Sequence, residues 1–484
     1  MEDEILDEWT VKANNVMSIS LVTKTGEGFP KTIHSFQPAW TYPIVGRDPD
    51  DTRETIYGYK DLKINLRFNA SDMRPHLSHT SAKRVPVTVA TDESPDINPL
   101  FEPFLPPVAF GKRAHFDTAV ANTSDDWHPP GELIETTDGD KDGHYEVWKG
   151  SLADPLVLAL VKRIQILVSL FIEGGTPIQT ESSEKYEADP LDRWTIFFLY
   201  QKRPRAEDSS KFSYVFVGYA TVYRFFIFRP QSLTNEPAKS LELPKDTTPF
   251  SEFPCRSRIS QFLILPPFQH KGNGQRLYKP IYQTWLNDSA TFEITVEDPN
   301  EAFDAMRDMA DLAFLREQPD FNEININTKV ALSKIKSVPG DIIDSKAMEA
   351  VRLKYKIASR QFFRLVEMHL MSKLSPSVVP EMNQDQDLTG KGKQRPTREE
   401  EHVYRLWRLL AKSRIAVQNK EQLSAIEPHE RIDRLDETLN SVELEYALLL
   451  SMFKSKTTGS RSSEKRKLED DEDAETSASK RSKV

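Results

Sequence analysis

The chain has 484 residues, 38% hydrophobic and 29% charged, with 64 Lys and Arg against 74 Asp and Glu and a formal net charge of −10. That length allows about three domains at roughly 150 residues each, and the acidic balance argues against non-specific nucleic-acid binding and favours basic partners. The single cysteine, Cys255, excludes an intrachain disulfide framework and suits a reducing compartment.

The first seven residues are acidic and lack a signal-peptide pattern. Residues 8 to about 150 read as short strands and loops. Residues 17–22 are strand-like, and 61–67 alternate apolar and polar with period two. Pro103, Pro106 and Pro107 mark a loop. Residues 125–142, rich in Asp, Gly and Pro, predict a surface loop. Residues 152–172 form the most apolar window, but Asp154, Lys162 and Arg163 make it too polar to span a membrane. A buried amphipathic helix is expected there, closed by Glu173 ahead of Gly174 and Gly175. The helix dipole at that end opposes a carboxylate's charged form. An ordinary helix-end charge has the same appearance.

Strands follow at 194–200, 214–223 and 225–228. The next run, Arg258-Ile-Ser-Gln-Phe-Leu-Ile-Leu-Pro-Pro-Phe-Gln269, is apolar and strand-like over 259–265. Pro266 and Pro267 stop it, since proline lacks the N–H a ladder needs. Gly272 and Gly274 allow a tight turn, and a helix over 274–286 begins. A helix N-terminus behind such a turn is a ready phosphate site, although a plain turn uses the same glycines. No Gly-Lys-Ser/Thr follows, which excludes a P-loop, and the three-glycine dinucleotide pattern is absent. A strand over 292–296 ends at Glu297 and Asp298, with Pro299 behind them. Carboxylates at a strand end suit proton relay, and Glu-Asp-Pro is also an ordinary turn. Cys255 reads as a small buried residue, with no His partner for a catalytic thiol. A helix over 300–315 closes this alternation of strands and helices.

Beyond 345 the pattern turns helical. One long helix is predicted over 348–374, a linker over 383–398, and amphipathic helices over 399–420 and 431–453. From 454 the low-complexity chain is expected to be disordered. Its clusters Lys465-Arg-Lys467 and Lys480-Arg-Ser-Lys483 look like a bipartite nuclear localisation signal. A solvated tail with scattered charges looks similar.

The order Gln269-x-x-Gly272-x-Gly274 after an apolar strand resembles the coenzyme A pyrophosphate loop of the GNAT acetyltransferases. With Glu293-Ile-Thr-Val-Glu-Asp-Pro299, Phe171-Ile-Glu173, Val217-Gly-Tyr-Ala-Thr-Val-Tyr223 and the run from Glu54 to Lys63, the chain resembles type B histone acetyltransferase catalytic subunits over roughly residues 8–345. The resemblance implies an α+β GNAT fold with an N-terminal α/β domain and a helical C-terminal region. Its divisions would be 8–175 (N-terminal) and 176–345 (acetyl-CoA-binding and catalytic), to which the helical pattern adds 346–455 and the low-complexity composition a disordered charged tail over 456–484. It implies acetyl-CoA as co-substrate with no metal, and transfer to tail lysines of newly made, free histone H4 accompanied by H3. A WD40 histone-binding subunit is the implied partner, in nucleus and cytoplasm, with neither membrane nor direct nucleic-acid contact.

The resemblance also implies site residues. Neutralising a lysine amine at pH 7 costs roughly 4–5 kcal/mol, so a base is needed. The family's catalytic glutamate falls on Glu297, a second on Glu173 and a third acid on Asp298; the sequence does not say which takes the proton. Phe262, Leu263 and Ile264 would offer backbone groups to the pantetheine arm. Gln269, His270, Lys271, Gly272, Asn273, Gly274 and Gln275 would hold the pyrophosphate, with charge from Lys271 and Arg276. Tyr223, Arg224 and Phe225 match a histone-contact strand. Glu54 matches an acidic contact whose family pair is half present, since Arg53 precedes it. A GNAT enzyme for another protein lysine or a polyamine, or a non-catalytic histone chaperone, are the competing readings.

Overall fold

The computed structural model describes residues 9–479 apart from 26–29, 47–51, 86–95, 140–142, 183–186, 188, 206–210, 228–252, 333–338 and 381–394; beyond 453 it describes backbone alone. The chain divides into two units, Met1–Asp298 and Pro299–Val484.

The first unit opens with short strands: β1 (Thr10–Lys12), β2 (Met17–Lys24), β3 (Pro30–Phe36), β4 (Thr55–Tyr57), β5 (Tyr59–Lys60), β6 (Lys63–Asn69), β7 (Pro75–Thr80) and β8 (Lys83–Arg84). Four of them form a sheet in the order β3-β2-β6-β7, with β2 and β6 parallel. The period-two pattern is realised in the buried Ile64, Leu66 and Phe68. Helix α1 (Arg113–Ala121), which the sequence reading missed, packs Phe116 and Val120 on Val22.

A six-stranded sheet follows: β9 (Glu132–Asp138), β10 (His144–Ser151), β11 (Trp194–Pro204), β12 (Phe212–Phe226), β13 (Cys255–Ile264) and β14 (Thr291–Val296), in the order β14-β13-β12-β11-β10-β9. Neighbours are antiparallel except β13 and β14. A parallel pair needs a crossover, supplied by α4 (Asn273–Asn287). Before β11 come α2 (Pro155–Ile164) and α3 (Ile166–Phe171). The Asp154 side chain caps α2 by accepting from the Leu156 and Val157 N–H groups.

Several expectations are corrected here. The loop expected over 125–142 contains β9, an edge strand whose residues are mostly exposed, so its composition carries no buried stripe. The single helix over 152–172 is broken at Gln165. The strand expected at 225–228 is the end of β12, and Phe228 lies outside the described residues. One sheet draws β9 and β10 from before residue 175 and β11 to β14 from after it, and the two compact units divide at 298/299. Among the described residues no helix is long and apolar enough to cross a membrane.

The second unit contains α5 (Glu301–Arg316), α6 (Ser345–Lys354), α7 (Ser359–Met371), α8 (Arg398–Gln418) and α9 (Pro428–Ser479). The helix predicted over 348–374 is two helices. Lys356 adopts φ 54°, and the Arg352 guanidinium donates to the Ile357 carbonyl at 2.9 Å, capping the break. No Gly or Pro marks that bend. Helix α8 starts at a capping box between Thr397 and Glu400. Its Trp407 is buried with Phe362 and Tyr446. Buried Glu367 accepts from Arg414 Nε and Nη2 at 2.7 and 2.9 Å and from the Tyr446 hydroxyl at 2.9 Å, as a buried charge must. The backbone of α9 runs on to Ser479, into the stretch where disorder was expected. Lys, Glu, Arg and Ala there are good helix formers, and extending a packed helix avoids a new nucleus. Lys480 and the rest of the second basic cluster lie outside the described residues.

Candidate active site

Strand β13 organises the site. β14 pairs with it from Cys255 to Ile259, and the Glu297 N–H donates to the Ile259 carbonyl at 2.9 Å. The chain then turns away at Asp298, with φ 33°. β12 holds the far side throughout, with the Leu265 N–H donating to Val217 O at 2.9 Å. Antiparallel alternation therefore aims the Leu263 and Leu265 main-chain groups at β12, and those of Phe262 and Ile264 at the edge that β14 has left. The Leu263 and Ile264 side chains are core, so their main chain is what a ligand can meet.

The turn after β13 is tightly braced. The Gln269 amide donates to the Ile264 carbonyl at 2.8 Å, and the buried Asn273 amide to the Phe268 carbonyl at 2.8 Å. His270 and Gly272 both have positive φ, 60° and 77°. Gly272 is the N-cap of α4, with no side-chain cap and no acidic residue in the first turn. The N–H groups of Asn273, Gly274 and Gln275 thus begin a 15-residue helix at its positive end. Lys271 donates to the Pro267 carbonyl at 2.9 Å. Arg276 donates to the Lys271 carbonyl at 2.7 Å and Asn273 Oδ1 at 2.9 Å, and lies 4.5 Å from the Tyr145 ring centroid. Both cations shape the turn as well as charging it.

At the other end of β13, Glu297 Oε1 accepts from Arg258 Nη1 at 3.1 Å. The Arg258 guanidinium sits 4.1 Å from the Phe225 ring centroid. Phe225 packs edge-on to Tyr223 at 4.8 Å, and Tyr223 lies 4.8 Å from Trp194. A cavity of about 510 Å³ is lined by Phe225, Arg256, Arg258, Glu293, Glu297 and Asp298, among others. A larger one, about 780 Å³, is lined by Asn15, Ser18, Phe36 and Lys63 on the four-stranded sheet; Glu297 is not part of it.

The remaining predicted residues separate. Arg224 faces the opposite side of β12, where it pairs with Asp288 at 2.9 Å and stacks on Trp285. Strand alternation turns it away from Tyr223 and Phe225. Glu54 Oε1 accepts from the Asn14 amide at 3.1 Å and the Thr41 N–H at 2.9 Å, which makes it a local brace. Glu173 is exposed behind α3. The segment after it lies on β13, since Gln261 Nε2 donates to the Thr176 carbonyl at 2.8 Å. Across β12, Gln261 stands opposite Thr221 and Arg258 opposite Tyr223, two residues or roughly 7 Å apart at ~3.3 Å per residue.

Two residues with no role in the sequence reading join the site. Trp194 stands directly across from Tyr223 in the β11–β12 register, a relation visible only once the strands are paired. Arg258 opens the sequence motif, and its ion pair with Glu297 appears only when β14 lies beside β13.

A family model described as "Histone acetyl transferase HAT1 N-terminus" matches residues 9–173, and one described as "Fungal HAT1, C-terminal" matches 308–375. Three curated proteins are named histone acetyltransferase type B catalytic subunit. That of Pyricularia oryzae is 44% identical over 479 residues, covering 99% of this chain and 98% of its own. That of Neurospora crassa is 45% identical over 466 residues, 92% of this chain and 88% of its own. That of Gibberella zeae is 44% identical over 497 residues, 100% of this chain and 99% of its own. The chain belongs to the histone acetyltransferase type B catalytic subunit family. As a member of that family it is an acetyltransferase, and acetyltransferases draw their acetyl group from acetyl-CoA. The β13 edge, the turn and Glu297 lie between the two family-model matches, in a stretch that the full-length relatives span.

Proposed function

We propose that the chain is a GNAT-fold lysine N-acetyltransferase that moves the acetyl group of acetyl-CoA to amino-terminal tail lysines of newly made, free histone H4. The observation that carries the reading is the parting of β14 from β13 at Ile259. It leaves a strand edge that runs directly into an uncapped helix N-terminus, with Glu297 at the point of parting.

The residues fit the coenzyme. An amide-rich pantetheine arm would lie along Phe262 and Ile264 as an added strand. The pyrophosphate would meet the N–H groups of Asn273, Gly274 and Gln275 over Gly272, which has no Cβ, with positive charge from Lys271 and Arg276 close by. In a ternary complex the neutral lysine amine attacks the thioester carbonyl directly; the amide C–N bond forms, the C–S bond breaks, and coenzyme A leaves as a thiolate that takes up a proton from solvent. Glu297 accepts the amine proton, with Asp298 next to it in the chain and Glu173 as a second acid, and a β13 N–H polarises the carbonyl as charge develops. No covalent acyl-enzyme is invoked, since Cys255 is buried. Tyr223, Phe225 and Trp194 would flank the lysine's alkyl chain. The net charge of −10 suits a basic tail. H3 accompanying H4, a WD40 histone-binding subunit and a nuclear and cytoplasmic location belong to the same proposal.

The test is transfer of labelled acetyl from acetyl-CoA to free H4, with a polyamine in parallel. Label on H4 tail lysines supports the reading. Label on the polyamine alone, or tight H4 binding with no transfer, overturns it.

A further inference from the structure

A buried network of three polar side chains lies on the face of β13 that carries Arg258. Gln165 is 6% exposed, Gln261 6% and Tyr219 0%. The Gln165 carboxamide accepts from the Ile178 N–H at 2.6 Å and donates to Gln261 Oε1 at 3.3 Å. The Tyr219 hydroxyl donates to the same Oε1 at 3.2 Å, and Gln261 Nε2 donates to the Thr176 carbonyl at 2.8 Å. Burial keeps the Tyr219 hydroxyl protonated and therefore a donor.

Gln261 reaches this face because of an irregularity in its own strand. The β12–β13 register slips between Thr221 and Val222, so Thr221 faces Gln261 while Val222 faces Ile259, and Ser260 is the extra residue. Such a bulge reverses the alternation beyond it and re-aims the side chains. Arg256 and Arg258 lie on one face before it, and Gln261 and Leu263 lie on the same face after it. The displaced Gln261 N–H is satisfied by Thr221 Oγ1 at 3.0 Å. Two buried glutamines would be costly among apolar neighbours without these partners.

What the network grips is the strap that follows Glu173. At one end the Gly174 N–H donates to the Tyr42 hydroxyl at 3.3 Å; at the other, Thr176 and Ile178 are held by Gln261 and Gln165. We infer that Gln261, turned onto this face by the bulge at Ser260, is a positioning residue that fastens the strap to β13 and so sets Glu173 relative to the strand that ends in the cofactor turn. The inference rests on the reading of Glu173 as a second carboxylate of the site. Gln261 touches no reacting atom; it acts through the strap.

The experiment compares Glu173→Gln, Gln261→Met and their double variant in the full chain, with kcat and the KM for acetyl-CoA measured separately. Misplacing a catalytic group by about 1 Å costs up to ~100-fold, so Gln261→Met is expected to lower kcat about tenfold or more. Its KM for acetyl-CoA should stay within about twofold of wild type, because the 269–275 turn is braced independently. In the Glu173→Gln background, Gln261→Met should add nothing further. If Gln261→Met does not fold, Gln165→Met carries the same prediction through Ile178. Wild-type kcat in Gln261→Met beside a slow Glu173→Gln overturns the inference. So do losses that multiply, or a KM that rises with the fall in kcat. A Glu173→Gln variant at wild-type kcat removes the role of Glu173 itself, and that failure is distinguishable from the others.

Discussion

Arg258 holds Glu297: their Nη1 and Oε1 atoms are 3.1 Å apart, bridging adjacent parallel strands at the point where they part. The same guanidinium is fixed from its other side by the Phe225 ring. A half-exposed ion pair of this kind contributes little to stability, about 0–1 kcal/mol, so its consequence should be orientation. Arg258→Met is expected to lower kcat about tenfold with the thermal midpoint nearly unchanged. Arg258→Lys should recover only part of the loss, since an ammonium lacks the planar fork that spans carboxylate and ring. Unchanged kcat in Arg258→Met would separate the pair from catalysis.

Gly272 sits at φ 77° with open space around it, the nearest heavy atom to an added Cβ being Arg276 Nη1 at 3.7 Å. A substitution there meets backbone strain and no clash. Gly272→Ala should weaken acetyl-CoA binding several-fold, since the left-handed conformation costs an L-residue roughly 1–2 kcal/mol, and Gly272→Val should weaken it more. Isothermal titration with coenzyme A reads the effect directly. Equal affinity in all three proteins would remove this turn from the binding site.

His369 is 3% exposed with both ring nitrogens lacking a hydrogen-bond partner. Burial first, then Lys373 and Arg316, pushes its pKa down to about 4. An unfolded histidine titrates near ~6.5, so below that pH the unfolded chain binds a proton the folded chain refuses. This contribution to stability is intact above pH 6.5 and is lost as pH falls toward 4, by about 3 kcal/mol in all. His369→Leu removes it. The thermal midpoint of the C-terminal unit should therefore fall more steeply between pH 7 and 4.5 in wild type than in the variant, and parallel slopes would refute the assignment.

Lys356 at φ 54° makes the bend between α6 and α7. Glycine adopts that conformation without strain and a β-branched residue does not. Lys356→Val should be less stable than Lys356→Gly by about 1–2 kcal/mol, measured by urea unfolding monitored on the second unit.

What the sequence revealed followed from periodicity and punctuation. The end of β13, its stop at Pro266 and Pro267, and the glycine turn into α4 were legible within one or two residues, because each rests on local chemistry; the start of β13 lies at Cys255, four residues before the apolar run that marked it. β9 was hidden because an exposed edge strand has no buried stripe to betray it. The bend at Lys356 was hidden because its cause is the tertiary bond from Arg352 to Ile357, with no Gly or Pro in the sequence. Arg224 was grouped with Tyr223 and Phe225 by resemblance to a histone-contact strand, and the pleat puts its side chain on the other face, against Asp288 and Trp285. Trp194 and Arg258 needed strand register, which no single segment encodes. That one sheet spans residues 132–296 was hidden for the same reason, since only the pairing of β10 with β11 joins its two halves.

Glu297 is the group proposed to take the proton from the attacking lysine amine. That role is tested most directly by the rate of labelled acetyl transfer to free H4 by Glu297→Gln across pH, beside wild type. A fall in kcat of at least ~100-fold is expected near neutral pH, with the KM for acetyl-CoA little changed and partial recovery at alkaline pH, where more of the amine is already neutral. Wild-type kcat in Glu297→Gln would contradict it and move the base to Glu173 or Asp298.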